Sequence, residues 1–158
     1  MTETGALSFA RSAAVAYTAC FVSGSVLSIK RGYGAEPLGI RTGLSPAADL
    51  LVGNGAALAA PWTMIALLWQ AVTAARAPGR KGRNARARMA ALAALFLAGA
   101  VAEPVSHRLV ARELPRPDAV IAALNIVLPV AILGGSLASL LAPSPSSVDE
   151  FRGGRRGT

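Results

Sequence analysis

Cysteine is almost absent from the 158-residue chain, which has only Cys20. A single thiol excludes an intramolecular disulfide, a CxxC redox pair and a cysteine-rich metal site. Membrane proteins that form disulfides with a quinone need paired cysteines and are excluded on the same count. Histidine is as scarce, with His107 alone, so no haem-type pair of axial histidines exists. Aromatic residues make up only 5%, and the 53% hydrophobic content therefore comes from Ala, Leu and Val. Side chains that small favour helices packed at close range. Charge is sparse as well, at 15% against about 25% in a soluble domain. No nucleophile elbow or phosphate loop is present. Gly32 and Gly34 follow an apolar run rather than a strand, which is the wrong context for a nucleotide fingerprint.

What the chain does contain is long apolar runs. The hydrocarbon core is about 30 Å thick and each helical residue rises 1.5 Å, so about 20 apolar residues span it. Four stretches meet that length: 7–29, 47–73, 87–105 and 118–141. Tyr17-Thr18-Ala19-Cys20 has the outline of a lipoprotein processing site, but the apolar run continues past the cysteine to Ile29, as a spanning helix does. The first connection, Gly32 to Gly39, carries Gly and Pro that break helices. Ser45-Pro46 then starts the second helix with a capping hydroxyl and a proline at the first helical position. The fold class expected is all-α: an integral membrane four-helix bundle over 1–142, followed by a disordered basic cytoplasmic tail over 143–158.

Net charge is +8. In a soluble protein such an excess points to nucleic acid. Here the bases fall between apolar runs, where they set topology and meet anionic lipid, so the bilayer is the expected partner and nucleic acid is not. The middle connection holds six Lys and Arg between Arg76 and Arg88, and shares its side with Arg11, Arg152, Arg155 and Arg156. The other side has six, so ten bases stand against six. Both termini and the middle connection are thus expected in the cytoplasm, with the chain multi-pass in the plasma membrane.

That orientation gathers the strong polar groups in the outer third of the bilayer. Asp49 falls in the first turn of the second helix, and Asn54 about 7–8 Å deeper. The third helix reaches Glu103 and His107 near its outer end, and the fourth brings in Asn125 about 10 Å below its start. A charge at the bilayer centre costs about 2.5–3.5 kcal/mol, and such groups face a bundle interior or a wet cavity. Glu103 and His107 are four apart and share a helical face if the helix runs through Pro104; a carboxylate beside an imidazole moves protons. Glu103 is equally accounted for as an interfacial anchor paired with His107 or Arg108, and Asp49 is better accounted for as an acid at a helix N-terminus. Asn125 needs partners across helices, and Pro129 lacks the N–H that would bond its carbonyl. Pro61 would likewise free the carbonyl of Ala57.

The catalytic candidates are therefore Glu103, His107 and Asp49, and the ligand-binding candidates are Asn54, Asn125 and Glu103. Two carboxylates and one histidine lack the spacing of zinc or di-iron sites, so no metal is expected, nor any cofactor. Small residues at Gly53, Ala56, Ala57 and Ala60, and at Gly134, Gly135, Ser136 and Ser139, form stripes for close helix contact, within the chain, in a homodimer or with a larger membrane complex. The leading expectation is a protein that binds or helps to transport a small lipophilic or cationic ligand through an outward-facing polar pocket. The alternatives are a cofactor-independent membrane isomerase or cyclase, and an accessory subunit with no site of its own.

Overall fold

Six α-helices and one 3-10 turn, Pro37–Gly39, make up the ordered elements of the computed structural model, which describes residues 2–40, 43–53 and 55–142. No strand occurs among the described residues. The helices are α1 (Glu3–Arg31), α2 (Pro46–Val52), α3 (Trp62–Ala74), α4 (Gly79–Ala102), α5 (Pro104–Val110) and α6 (Arg116–Leu141). Three of them, α1, α4 and α6, are long and apolar enough to cross a membrane. The basic stretch 143–158 lies outside the described residues.

α6 lies between α1 and α4, and α3 packs on α4 and α1. α6 runs antiparallel to α1, because Asn125 meets Cys20 while Gly135, nearer the other end, meets Ala6 and Ala10. A Cβ on Gly135 would stand 3.0 Å from the Cβ of Ala10. Gly135 of the small-residue stripe is therefore packed on α1 of the same chain, while Gly134 beside it is exposed. Phe21, Leu68, Val72, Met89 and Ile132 fill the middle, and the Tyr17 and Phe96 rings lie 4.8 Å apart. Close packing of this kind supplies the attraction between helices when lipid is as apolar as the side chains.

Each end of the bundle is tied by a charge. At the Arg-rich end, Arg86 pairs with Glu3 and donates to the carbonyls of Ser139 at 3.2 Å and Ala75 at 3.4 Å. One guanidinium thus joins α1, α3, α4 and α6. The sequence pattern puts Arg86 in a loop, yet α4 begins at Gly79, eight residues ahead of the expected start. Its bases are good helix formers. At the opposite end, Gly32 takes φ +69 and closes α1, with the Tyr33 N–H donating to the Ser28 carbonyl at 2.9 Å. The Tyr33 hydroxyl then reaches fully buried Asp118 at 3.1 Å, and Arg31 approaches it at 3.6 Å.

Two expectations about helices need correction. The run 47–73 is not one helix: α2 ends at Val52, and the described residues from there to Pro61 are irregular before α3 begins. Pro61 is consequently not a kink inside a helix but the residue that caps the start of α3. The stripe of Gly53, Ala56, Ala57 and Ala60 loses its helical spacing with it. The third run also ends early, at Ala102, because Pro104 disfavours the helical conformation at the residue before it.

Candidate functional site

The irregular stretch after α2 is the centre of the site, and its local sequence explains it. Gly55 takes φ +94, where L side chains are strained, and an added Cβ would overlap the carbonyl of Ala59. Ala56 and Ala59 exchange both main-chain hydrogen bonds, at 2.7 and 2.9 Å, which closes a tight turn over Ala57 and Leu58. Non-helical backbone among spanning helices is tolerated only where protein satisfies its polar groups. Leu58 shows how this is done. Its N–H donates to the Ser28 hydroxyl at 3.3 Å, and its carbonyl accepts from the Asn125 amide at 2.7 Å. Gly24 makes room on α1, because a Cβ there would overlap the same carbonyl.

Asn125 also accepts a weak bond from the Cys20 thiol at 3.9 Å. Its side chain thus joins α1, the turn and α6, as expected of an inter-helix amide, and it faces a cavity as well. That cavity, about 240 Å³ in volume, lies between the turn, α4 and α6. Ala56 to Pro61 form one wall and Leu95, Phe96, Gly99 and Ala100 another. The polar side chains on its lining are Tyr17, Glu103, Ser106 and Asn125; no Lys, Arg or His is among them.

Glu103 reaches the cavity because α4 stops there. Its φ of −76° and ψ of 136° turn the chain, and Pro104 opens α5. The Ser106 N–H donates to the Glu103 carbonyl at 3.0 Å and the Ser106 hydroxyl to that of Ala100, so the break is bonded from within. Glu103 is buried, 7% exposed as a residue, and its carboxyl accepts from the Glu36 N–H at 3.1 Å. It also borders a second cleft, formed with Gly32, Tyr33, Gly34, Glu36 and Arg108. Ala57, Glu103 and Val105 line both spaces, so the carboxyl stands in the wall between an apolar cavity and a polar cleft.

The structure therefore brings Glu103 and Asn125 to one space and leaves the other candidates elsewhere. His107 is exposed, beside a surface depression with Leu38 and Pro104. The break at Glu103 removes the continuous helix on which the Glu103–His107 pairing depended, so that shared helical face does not exist. Asp49 is fully buried rather than solvent-facing, and borders a different recess with Gly34, Glu36 and Gly43. Asn54 lies outside the described residues. The sequence places Ser28 at the same depth but not its bond to Leu58, and it does not mark Tyr17 as a member of this region or Asp118 as a buried acid. Asp118 read only as a helix start, and no spacing rule marks a serine on α1 as the partner of a distant turn.

No protein-family model matches the chain, and neither a curated protein nor a solved structure matches it.

Proposed function

We propose that this is a membrane protein that binds, or helps to move, a small lipophilic ligand bearing a cationic group. The observation that carries the reading is the cavity itself. It is mostly apolar, contains one carboxyl and one carboxamide group, and is walled by an interrupted helical segment. Apolar pockets with a few convergent polar groups are the usual form of a small-molecule site. Segments broken at mid-membrane are the usual way for transporters to bring backbone and side-chain polar groups to a ligand. The polar cleft behind Glu103 gives the same carboxyl a second face, which suits passage as well as storage.

Four crossings with both termini in the cytoplasm complete the proposal. Leu58 meets Ser28, Trp62 meets Phe21, and Trp69 meets Thr18, so the segment from the turn through α3 descends along α1 from its end toward its start. Glu103 and Asn125 then lie toward the outer side, and the Arg-rich end toward the cytoplasm. Maleimide accessibility checks the orientation. In a Cys20→Ser background, Asn84→Cys should react with an impermeant reagent in inverted vesicles and stay unlabelled in intact cells. The reverse pattern would invert the topology.

The ligand reading is tested with dodecyldimethylamine and the reconstituted protein. Glu103→Gln keeps an oxygen to accept from the Glu36 N–H while removing the charge. Its affinity for the amine should fall by roughly 10–100-fold, from the loss of a charged hydrogen bond worth about 1.5–3 kcal/mol. Glu103→Asp should recover part of that, and unfolding of both variants should resemble the parent. Equal affinity in Glu103→Gln would sink the proposal.

A further inference from the structure

The cavity is lined unevenly, and the unevenness indicates how a ligand reaches it. Tyr17, Phe96, Ala122 and Asn125 are buried on its inner side. Toward the seam between α3 and α4 the lining becomes exposed: Leu95 is 60% accessible and Gly99 lies on the open face. Across the seam, Ala60, Pro61 and Met64 are half-buried. Gly99 has no side chain to close this edge, and a Cβ added there would meet nothing within 4 Å. Leu95 and Gly99 belong to the apolar helix Gly79–Ala102, long enough to cross a membrane. The open edge therefore faces acyl chains rather than water.

Resting on the ligand reading above, we infer that the ligand enters sideways from the bilayer through the notch at Gly99, and that it is a single-chain amphiphilic amine whose tail remains partly in lipid. Three observations converge on this. The volume of about 240 Å³ falls below the ~300–1,000 Å³ of pockets that enclose a whole drug-sized molecule, so only the head and the near part of a chain fit inside. The carboxyl of Glu103 and the amide of Asn125 wait within, while the notch itself is edged by Ala60, Leu95 and Gly99. Finally, the lining offers a carboxyl group and no base, which selects a cationic head and disfavours fatty acids of the same length.

The probe for this is dodecyldimethylamine carrying a diazirine at the end of its tail, dissolved in vesicles that contain the protein. After illumination, labelled residues are found by mass spectrometry, with unlabelled dodecyldimethylamine as competitor. Competable labelling is expected on the α3–α4 seam around Ala60, Leu95 and Gly99. Gly99→Leu should lower the association rate by roughly ten-fold or more, an effect on access rather than on the occupied site, while Gly99→Ala retains most of it. If labelling falls instead around Gly32, Tyr33 and Arg108, entry is through the polar cleft and the inference is overturned. The labelling pattern is read on the wild-type chain and does not depend on a variant folding. Unchanged association in folded Gly99→Leu, with affinity still lost in Glu103→Gln, would also overturn the inference and leave the ligand reading standing. No competable labelling anywhere would remove both.

Discussion

Gly24→Ala is expected to destabilise the protein at the upper end of the ~1–3 kcal/mol typical of an overpacked interior. The added methyl would overlap the Leu58 carbonyl oxygen, stand 3.0 Å from the Leu58 carbonyl carbon, and crowd Ile121 at 3.2 Å. The first two are main-chain atoms of a turn already bonded on both sides, so they cannot rotate away as a side chain would. Gly134 on α6 supplies the control, since a Cβ there meets nothing within 4 Å. Gly134→Ala should be neutral or stabilising by up to about 1 kcal/mol, because alanine is the better helix former. Unfolding in mixed micelles, followed by helicity, separates the two. Amine binding should fall with stability in Gly24→Ala, because the displaced turn is a wall of the cavity. Equal stability of the two variants would mean that the turn does not lie against α1.

Asn125→Leu is expected to cost about 1–2 kcal/mol. Hydrogen bonds between membrane helices average about 0.6 kcal/mol, with a maximum near 1.7, because the separated helices find other partners. The partner lost here is different: a main-chain carbonyl in a turn, with no helical N–H to take over. Leaving a buried polar group unpaired costs about 1–3 kcal/mol. Asn125→Leu keeps the volume and removes the amide, so the loss should appear in unfolding and in faster exchange of the main-chain amides of Leu58 and Ala59. Ordinary exchange at both positions would mean that the 2.7 Å bond to Leu58 does not hold the turn.

The two predictions share a region that was only half legible in the sequence. The three long helices were readable because length and apolarity alone define them: 118–141 was expected and Arg116–Leu141 is found. The break after Val52 was not, although its letters were visible. Gly53-Asn54-Gly55 and Pro61 bracket it, but the alanines between are strong helix formers, and a sum of hydropathy takes no account of main-chain bonds. The partners that hold this stretch open, Ser28 and Asn125, are 30 and 67 residues away from Leu58. No local propensity contains them. Glu103 shows the opposite failure, for its proline neighbour was a local signal. Reading the helix on through Pro104 created the pairing with His107 that the structure does not have. Asn125 was singled out as a residue needing partners across helices, and it has them in the Leu58 carbonyl and, more weakly, the Cys20 thiol.

The interruption between α2 and α3 also bears on how the chain is built. α2 has 7 residues and α3 has 13, about 10 and 20 Å of helix against a hydrocarbon thickness of about 30 Å. Neither piece reaches across by itself, so on the four-crossing reading the segment can stay inserted only with its turn covered. Ser28 is synthesised before Leu58 and waits for it. Asn125 follows 67 residues later, roughly 3–13 s at a synthesis rate of about 5–20 residues per second. On that reading the Leu58 carbonyl is without its Asn125 partner throughout that interval. α6 is then the helix whose arrival completes the cover of the turn.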